Sequence, residues 1–337
     1  MVRRMVNKEY RYPLGEGQVC VHSRRPDSGW PGANTSVLLS VAFSCLALLT
    51  GCSPAGEAPT DPPRALTDLV HPTSVQVLQS APGLTYFNLE NEEEPWSIHL
   101  LRVELDRCEL GFRVLEGPAG GGEGAGRSRV SELAASAGED VVAAVNGDFF
   151  TPEGFPVGAE VVSGQVRRIV GRPALAWHPR WDPWVGIPEL RGDSVMVLGW
   201  DLPRSLGDAG TEVIGGFPLL LLEGQRVGDL EVSERPGFAA ERHPRTAVGF
   251  DEDGGFFWIV VVDGRQPDLS LGMTLPELTS LFEALQVEDA LNLDGGGSSV
   301  MVLEGTAVSS PSDAEGERPV ANALAVSLDP GFCRARR

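Results

Sequence analysis

The sequence predicts an α+β protein, with a single strand-rich mixed domain and a few helices. Short apolar runs of strand length, separated by turn residues, outnumber helical stretches after residue 73. The 337 residues include 41 glycines and 26 prolines, which argue against an all-helical bundle. No internal repeat or sharp compositional boundary divides the chain after residue 73. With 42% apolar residues, one sizeable core can form.

The N-terminal part of the chain predicts export. Residues 37–50 form a charge-free run of 14, shorter than the roughly 20 residues of a spanning helix but suited to a secretory signal. Leu49-Thr-Gly-Cys52 then looks like a lipobox, so we expect residues 1–51 to be a lipoprotein signal peptide with an unusually long n-region, and Cys52 to be lipidated. The alternative is a buried helix that ends at Gly51.

Residues 52–73 are rich in proline, alanine and acidic residues, and we expect a lipidated cysteine followed by a flexible tether. The folded domain is predicted over residues 74–330, with a C-terminal tail at 331–337. This organisation predicts an exported, membrane-anchored lipoprotein, periplasmic or at the cell surface, which contacts the membrane through its lipid anchor only.

The charge composition disfavours nucleic acid as a partner. The net charge is −20, and cleavage before Cys52 would remove six basic and three acidic residues and leave −23. No run rich in lysine or arginine offers a phosphate-backbone surface, and Lys8 is the only lysine.

The five cysteines show no CxxC motif and no Cys/His cluster at zinc spacing, so no metal site is predicted. Cys108 and Cys333 would remain unmodified after export. In an oxidising compartment they form either a disulfide or two separate buried thiols, and their spacing does not decide between these alternatives.

The first half of the domain begins with a predicted hairpin, in which strands 96–105 and 110–115 are joined across residues 106–109. A glycine-rich loop (117–126) and a helix (128–137) follow. Residues 141–145 form a continuous apolar run, typical of a strand covered on both faces. Less regular strands are expected at 161–170, 174–177 and 194–198.

The second half contains clearer signals. Strands 246–250 and 256–262 flank the acidic, glycine-containing turn 251–255, which predicts a hairpin. Thr274-Leu-Pro-Glu277 is a capping box that opens a helix to about Leu285. Strands near 290–293, 299–303 and 320–328 complete the domain.

The strongest chemical signal is Leu291-Asn-Leu-Asp-Gly-Gly-Gly-Ser-Ser-Val300. A strand brings Asn292 and Asp294 to its end, and the following glycines let the backbone approach a ligand closely. Free N–H groups in such a loop can form an anion-binding concavity. The alternative is a turn whose glycines serve sterics alone. Because the Gly-Lys-Ser/Thr ending of a P-loop is missing, a nucleotide triphosphate is disfavoured.

A second strand end repeats this pattern, because Asn146-Gly-Asp148 follows an apolar strand. Asn-Gly is also a common turn dipeptide, which is the alternative interpretation. We expect the aromatic pair Phe149-Phe150 to belong to the core rather than to form a platform for a sugar.

Arginines and a third aspartate lie at the remaining strand ends. Arg245 precedes one hairpin strand, and Asp263 and Arg265 end its partner, so Arg245 and Asp263 should be neighbours, or else form a surface ion pair. Arg318 stands at another strand entrance. Aspartates together with arginines favour acid/base or nucleophilic chemistry on an anionic substrate.

Seven segments together resemble the phosphodiester glycosidase family and occur in the family's order. They are NGDFF (146–150), GGFPLLL (215–221), RHPRTAVGF (242–250), VVVDGRQ (260–266), GMTLPEL (272–278), LNLDGGGSS (291–299) and ERPVANAL (317–324). The resemblance implies a phosphodiester-glycosidase-like fold and a glycoside hydrolase that releases a free sugar and a phosphomonoester from a glycosyl 1-phosphodiester. Envelope or extracellular polysaccharides are the expected substrates.

On this resemblance we expect Asp294 and Asp263 to act as base or nucleophile, with Asp148 as a third carboxylate. The substrate-binding residues would be the phosphate ligands and the groups that orient the sugar or the carboxylates: Arg245, Arg265, Gly295, Gly296, Gly297, Ser298 and Ser299 for phosphate, and Asn146, Asn292 and Arg318 for orientation. Whether hydrolysis retains or inverts the anomeric configuration depends on the carboxylate separation and stays open.

Two other functions remain as alternatives. One is a non-catalytic lipoprotein that binds carbohydrate or phosphate, and the other is a metal-dependent phosphodiesterase that cleaves the P–O bond. No cofactor is predicted, although Asp148 and Asp294 offer ligands for a divalent cation.

Overall fold

Antiparallel strands dominate the structure, a computed structural model. It describes residues 61–118, 126–191, 194–197, 204–205, 207–227, 230, 237–251 and 255–336. The predicted signal peptide, Cys52, most of the glycine-rich loop 117–126 and the centre of the turn 251–255 lie outside the described residues. No helix in the described part of the chain is both long and apolar enough to cross a membrane.

The helices and strands follow one another in a strand-rich order. The helices are α1 (Arg64–Val70), α2 (Val130–Ala137), α3 (Leu275–Ala284) and α4 (Pro330–Arg336), and a short 3-10 turn spans Gly296–Ser298. The strands up to residue 191 are β1 (Ser74–Ala81), β2 (Leu84–Asn91), β3 (Trp96–Glu104), β4 (Leu110–Glu116), β5 (Val141–Asn146), β6 (Glu160–Val162), β7 (Gln165–Arg168), β8 (Ala174–His178), β9 (Trp181–Gly186) and β10 (Glu189–Arg191). The later strands are β11 (Ser194–Val197), β12 (Arg204–Ser205), β13 (Glu212–Gly215), β14 (Leu219–Leu222), β15 (Gln225–Arg226), β16 (Arg245–Asp251), β17 (Phe256–Val262), β18 (Asp289–Asn292), β19 (Met301–Leu303), β20 (Thr306–Ala307) and β21 (Asn322–Leu328).

These strands form four sheets. The large sheet has the order β1-β2-β3-β17-β16-β18-β14-β15, and the second sheet has the order β20-β19-β5-β21-β4. A third sheet (β7-β6-β13-β8-β9) and a small one (β10-β11-β12) complete the set. The predicted α+β, strand-rich fold class is confirmed.

The core is built in layers. One cluster of buried side chains lies between the large and second sheets, including Val261 and Leu101 from one and Val145 and Val326 from the other. A second cluster covers the opposite face of the large sheet with α1 and α3. A third packs α2 on the opposite face of the second sheet. The order is therefore helix, sheet, sheet, helix, and the central strands of both sheets are buried on both faces.

Several sequence predictions hold. The strands β16 and β17 pair in register from Arg245 opposite Val262 to Asp251 opposite Phe256, as the hairpin prediction requires. Helix α3 begins with a complete capping box, in which Thr274 Oγ1 accepts from Glu277 N at 3.1 Å and Glu277 Oε2 accepts from Thr274 N at 2.8 Å. The central strand β5 is covered on both faces.

The predicted hairpin between residues 96–105 and 110–115 was wrong. The two strands exist, but β3 pairs with β2 and β17 in the large sheet, whereas β4 pairs with β21 in the second sheet. Residues 106–109 therefore cross between sheets. Both strands are largely buried, and their distant partners β17 and β21 are selected by long-range packing and not by the short connection.

The predicted tether and tail also need correction. Within residues 52–73, Arg64–Val70 forms α1, because Leu66 and Val70 lie four residues apart and bury one helical face in the cluster that also contains α3. The C-terminal segment forms α4, whose Cys333 is joined to Cys108 in a disulfide with a Cα–Cα distance of 4.7 Å. The alternative of two separate thiols is therefore excluded in this structure.

Candidate active site

The candidate site forms where the large and second sheets meet at their strand ends. Asn146, at the end of β5, donates from Nδ2 to Asp294 O at 2.6 Å. Its Oδ1 accepts from Thr246 Oγ1 at 2.7 Å and from Val300 N at 3.2 Å. Asp294 N in turn donates to Gly147 O at 2.9 Å. The fully buried Asn146 amide thus joins the two sheets, so it positions the loop after β18 and does not face a ligand.

A cavity of about 310 Å³ opens beside this junction, and we call it the active-site cavity. Its volume is at the lower end of small-molecule sites, which span roughly 300–1,000 Å³. Of the predicted site residues, it is lined by Arg245, Arg265, Asp294, Gly295, Gly296, Gly297 and Arg318. It is also lined by Phe149, Gly237, Phe238, Glu241 and His243.

Asp294 is the one predicted catalytic carboxylate that lines this cavity. Its side chain is half-buried, and its Oδ1 accepts from Gly295 N at 2.9 Å. The strand β18 ends at Asn292, which leaves Asp294 two residues beyond the sheet, at the start of the glycine loop. This placement presents the carboxylate to the cavity on backbone held by both sheets.

Asp148 lies behind the cavity wall. Its carboxylate is buried, accepts a hydrogen bond from Gly158 N, and is packed so closely that a Cβ on Gly158 or Gly215 would lie 2.7 Å from its Oδ2. Burial raises the pKa of Asp148 to about 7, and the nearby charge of Asp294 adds to this in the same direction. Asp148 is therefore partly protonated at neutral pH and electrostatically linked to Asp294 without lining the cavity.

Asp263 does not belong to this cavity, although Arg245 and Asp263 were expected to be neighbours. Arg245 pairs with Val262, so Asp263 is adjacent in register, but successive side chains along a strand point to opposite faces. Arg245 accordingly lies on the helix-covered face of the large sheet, and Asp263 lies on the inner face, where it lines a different cavity. No ion pair joins these two described residues.

Arg245 is held by three backbone carbonyls. Its Nε donates to Met273 O at 2.8 Å, and its Nη2 donates to Phe238 O at 2.8 Å and Glu241 O at 3.0 Å. Burial, followed by the charge of Arg265, lowers its pKa to about 10, so it stays cationic at neutral pH. Among the described residues no carboxylate is paired with it, which leaves its positive charge available to the cavity.

Arg265 and Arg318 differ in how far their charge is compensated. Arg265 is exposed, and in the described part of the chain its nearest polar contact is His243 Nδ1, 3.4 Å from Nη2, with no ion pair. Arg318 forms a bidentate pair with Asp313, at 2.8 Å from Nε and 3.1 Å from Nη2. Arg265 is therefore the stronger candidate for an anion.

His243, which also lines the cavity, is favoured in its neutral form. Burial lowers its pKa, and the charges of Arg245 and Arg265 lower it further. Its Nε2 lies 3.7 Å from Glu241 Oε2, which opposes the shift.

The glycine loop does not present the predicted row of free N–H groups. The N–H groups of Gly295, Gly296, Ser298 and Ser299 donate to Asp294 Oδ1, Pro244 O, Gly295 O and Gly296 O respectively. The glycines instead admit neighbouring groups, because a Cβ on Gly297 would lie 2.2 Å from Arg318 Nη2, and one on Gly296 would lie 3.1 Å from the Arg265 guanidinium. These four N–H groups are therefore already bonded within the protein, and the arginines are the better candidates for binding an anion.

Three further predicted ligands are buried away from the cavity. Asn292 Nδ2 donates to Phe217 O at 2.7 Å and to Leu293 O at 2.8 Å, which fixes the end of β18. Ser298 and Ser299 are almost fully buried and do not line the cavity. The positions of these three side chains, like that of Asn146, favour a supporting role.

Sequence reasoning missed several contributors to the site, including the cavity-lining residues Phe238 and Glu241. Phe149, expected in the core, lines the cavity with Phe238, at a ring-centroid distance of 6.2 Å, whereas Phe150 does pack in the core. Asn322 holds the turn after β5, because its Oδ1 accepts from Asp148 N at 2.9 Å and its Nδ2 donates to Glu160 Oε1 at 2.7 Å. Only the motif ERPVANAL pointed towards Asn322.

In the part of the chain that the structure describes, one group of three His, Cys, Asp or Glu side chains has its ligand atoms within 4.8 Å of one another. It consists of Cys108, Glu109 and Cys333, and its thiols are joined in the disulfide. Asp148 and Asp294 do not form such a group with a third ligand among these residues.

Two curated proteins of the same name are similar in sequence to this chain. The N-acetylglucosamine-1-phosphodiester alpha-N-acetylglucosaminidase of Bos taurus is 32% identical over 216 residues, which is 60% of this chain and 38% of that protein. The Homo sapiens protein of the same name is 29% identical over 215 residues, covering 60% and 39%. The chain thus spans about two fifths of the length of these relatives. The prophage-derived protein YomE of Bacillus subtilis is 41% identical over 86 residues, 26% of this chain and 13% of that protein.

Solved structures and a family comparison also indicate similarity to phosphodiester glycosidases. The zebrafish N-acetylglucosamine-1-phosphodiester alpha-N-acetylglucosaminidase catalytic domain matches with a TM-score of 0.52 and 23% identity, over 75% of this chain and 87% of that one. A Synechocystis protein matches with a TM-score of 0.58 and 17% identity, over 76% and 64%. These two likenesses concern the fold. Residues 139–327, more than half of the chain, match the phosphodiester glycosidase family. The resemblance seen in the sequence is thereby confirmed, and the chain belongs to the phosphodiester glycosidase family.

Proposed function

We propose that this protein hydrolyses a glycosyl 1-phosphodiester and releases a free sugar and a phosphomonoester. The observation that carries the proposal is the active-site cavity itself, which is lined by the carboxylate residue Asp294 together with Arg245 and Arg265, two arginines that have no carboxylate partner among the described residues. A carboxylate and the unpaired positive charge of two arginines in one small cavity suit a substrate that joins a sugar to a phosphate. Family membership and the names of the curated relatives support the same chemistry.

In this proposal the arginines bind the phosphate and stabilise it as it leaves. Guanidinium groups form charge-assisted, often bidentate hydrogen bonds with phosphate oxygens. The leaving group is a phosphate whose relevant pKa is about 6, far below that of a sugar hydroxyl, so strong general-acid assistance is less necessary than in ordinary glycosidases. Stabilisation of the departing anion by fixed cations then supplies much of the catalysis.

Asp294 is proposed as the base that activates water or as the nucleophile that attacks the anomeric carbon. It is the predicted aspartate with direct access to the cavity. Glu241, which also lines the cavity, offers a second carboxylate there. Phe149 and Phe238 give the cavity an apolar wall, and the CH-rich face of a pyranose ring packs well on such a surface.

The deciding assay incubates the full chain with UDP-GlcNAc and with an N-acetylglucosamine 1-phosphodiester, each with and without EDTA. Release of free N-acetylglucosamine that persists in EDTA supports the proposal. Release of the sugar 1-phosphate, abolished by EDTA, would instead identify a metal-dependent enzyme that cleaves the P–O bond. Saturable binding without any product would identify a non-catalytic binding protein.

We also propose that the protein is exported and anchored through Cys52, and that its substrates are envelope or extracellular glycans. The Cys108–Cys333 disulfide supports export, because structural disulfides persist mainly in oxidising compartments. Metabolic labelling with a radioactive fatty acid tests the anchor. Label should enter the wild-type chain and be lost in Cys52→Ser, and equal labelling of both would refute the anchor.

A further inference from the structure

A second cavity, of about 770 Å³, lies on the inner face of the large sheet, and we call it the sheet-face cavity. It shares no lining residue with the active-site cavity. Its walls come from three neighbouring strands, β1, β2 and β3, from the end of β17 and from residues 308–311, which follow β20 of the second sheet. Much of this wall precedes residue 139, where the match to the family begins.

Strand register places the polar residues of this cavity in rows on one face. Gln76 lies opposite Asn88, and Asn88 lies opposite His99. The next row along the same face contains Leu78, Tyr86 and Leu101, of which Leu101 belongs to the main core. The side chains on the inner face of the large sheet therefore change from apolar to polar from one row to the next. The polar side chains of Asn88 and His99 are nevertheless buried, each about 5% exposed or less. Burying such groups costs free energy unless they are hydrogen-bonded.

A fixed hydrogen-bond network orients the floor of the cavity. His99 Nε2 lies 2.9 Å from Asp263 Oδ2, and His99 Nδ1 lies 2.7 Å from the Tyr86 hydroxyl. Asp263 Oδ1 also accepts from Ser310 N at 2.8 Å. With the carboxylate accepting the Nε2 proton, Nδ1 accepts the Tyr86 proton, and the Tyr86 oxygen keeps its lone pairs for a donor in the cavity. The network therefore holds a hydroxyl acceptor in a set direction.

Other polar groups around the cavity have unused hydrogen-bonding capacity. The exposed Gln76 side chain has no partner among the described residues. Asn88 Nδ2 makes two contacts, both at the long distance of 3.5 Å. Glu90 accepts from Ser74 Oγ at 3.0 Å through Oε2, and its Oε1 has no partner in the described part of the chain. These amides and the carboxylate are planar groups that can bond to adjacent hydroxyls of one ligand.

The charge of this cavity is opposite to that of the active-site cavity. No arginine or lysine lines it, and its ionisable groups are Tyr86, Glu90, His99 and Asp263. A phosphate would meet the carboxylates of Glu90 and Asp263 here, with no guanidinium or ammonium group among the described lining residues to balance them. A shared cation is not favoured either, because no three His, Cys, Asp or Glu ligand atoms among the described residues cluster within 4.8 Å at this place. The rest of the wall combines three serines with apolar side chains, among them the exposed side chains of Leu78 and Leu269.

We propose that the sheet-face cavity binds an uncharged saccharide unit. Its hydroxyls would bond to Gln76, Asn88 and Glu90 and to the oriented Tyr86 oxygen, and its apolar ring face would lie against Leu78 or Leu269. Asp263 lines this cavity and Arg265, two residues later, lines the active-site cavity, so one short segment joins the two sites. The proposal does not depend on the proposed hydrolysis, because the two cavities have separate walls.

Calorimetric titration of the full chain tests this binding with three uncharged disaccharides: maltose, cellobiose and N,N′-diacetylchitobiose. Saturable binding of at least one is expected. Gln76→Ala and Glu90→Gln should each raise the dissociation constant about two- to tenfold, which is the range for loss of one hydrogen bond, and the double variant should raise it further. Gln76 is exposed, and Glu90 is partly buried with one hydrogen bond, from Ser74 Oγ, which a glutamine can also accept, so thermal unfolding should change little.

Gln79→Ala is the matched control, because Gln79 is an exposed glutamine on the same strand that points to the opposite face. It should bind like the wild type, and so should Arg265→Ala, which alters only the active-site cavity. Absence of saturable binding with all three disaccharides would overturn the proposal and leave a water-filled cavity. Binding that survives in the Gln76/Glu90 double variant but is lost in Arg265→Ala would overturn it as well.

Discussion

Arg265→Ala gives the sharpest test of the proposed phosphate site. Arg265 is exposed, forms no ion pair within the described residues and lines the active-site cavity, so removing its guanidinium leaves no buried partner unsatisfied. Arg245 is a less suitable target, because its removal would leave the carbonyls of Met273, Phe238 and Glu241 without their donor. Its loss would therefore mix a binding defect with a folding defect.

The expected size follows from the exposure of the side chain. A hydrogen bond to a charged group contributes about 1.5–3 kcal/mol, and the exposed position of Arg265 favours the lower end of this range. About 1.5 kcal/mol corresponds to roughly a tenfold loss in kcat/KM for a glycosyl phosphodiester. The free energy of unfolding should stay within about 0.5 kcal/mol of the wild type, as for most surface substitutions.

The assay measures kcat and KM with an N-acetylglucosamine 1-phosphodiester and the inhibition constant of inorganic phosphate. Both kcat/KM and phosphate affinity should fall about tenfold in Arg265→Ala. Arg167→Ala is the control, because Arg167 is an exposed arginine that pairs with Glu116 and lines neither cavity. Unchanged phosphate inhibition in Arg265→Ala, or an equal loss in Arg167→Ala, would refute the assignment of Arg265 to the phosphate.

Three further predictions concern the carboxylates and the disulfide. Asp294→Asn should abolish turnover and leave the thermal unfolding temperature within a few degrees of the wild type; near-normal kcat would sink its assignment as base or nucleophile. Burial raises the folded-state pKa of Asp148 to about 7, so between about pH 4 and pH 7 the native state binds more protons than the unfolded chain. The free energy of unfolding should therefore decrease as the pH rises through this range, by up to about 4 kcal/mol. Asp148→Asn should flatten this part of a urea-unfolding pH profile, and an unaltered slope would contradict the shift. Cys333→Ser should lower the free energy of unfolding by about 2–5 kcal/mol, and added reductant should then have no further effect.

Local sequence signals predicted the positions of helices and strands better than they predicted which strands pair. The capping box at Thr274 and the turn signal at 251–255 encode structure within a few residues, and the capping box and the pairing of β16 with β17 are both present as predicted. β3 pairs with its chain neighbour β2, but its other partner β17 and the partner of β4, β21, lie more than a hundred residues further along the chain, and a single sequence contains no local signal for these two pairings. The helix α1 was missed because only two buried positions distinguish it from a tether.

The error over Asp263 has a different origin. The hairpin register was correct, and it already implied that Arg245 shares a face with Val262 and that Asp263 points the other way. Arg245 and Asp263 are close along the backbone, but their side chains lie on opposite faces of the sheet. Sequence reasoning assembled all three aspartates at strand ends, whereas the structure separates them. Asp294 and Asp263 line different cavities, and Asp148, which follows β5 of the second sheet, is buried and lines neither.

The glycine loop illustrates how the site depends on residues distant in sequence. Its glycines were expected to make room for a ligand, but the space beside Gly296 is filled by the guanidinium of Arg265, and the space beside Gly297 is filled by the Arg318–Asp313 pair. The loop carrying Asp294 is therefore packed against the same cation that we assign to the phosphate. Because one side chain both borders the substrate cavity and contacts the loop that bears the carboxylate, the anion site and the proposed catalytic group are held in a single packed unit. Gly296 itself has a φ of +63°, in the left-handed region that favours glycine, and a Cβ there would lie 3.1 Å from the Arg265 guanidinium, which explains in physical terms why glycine suits this position.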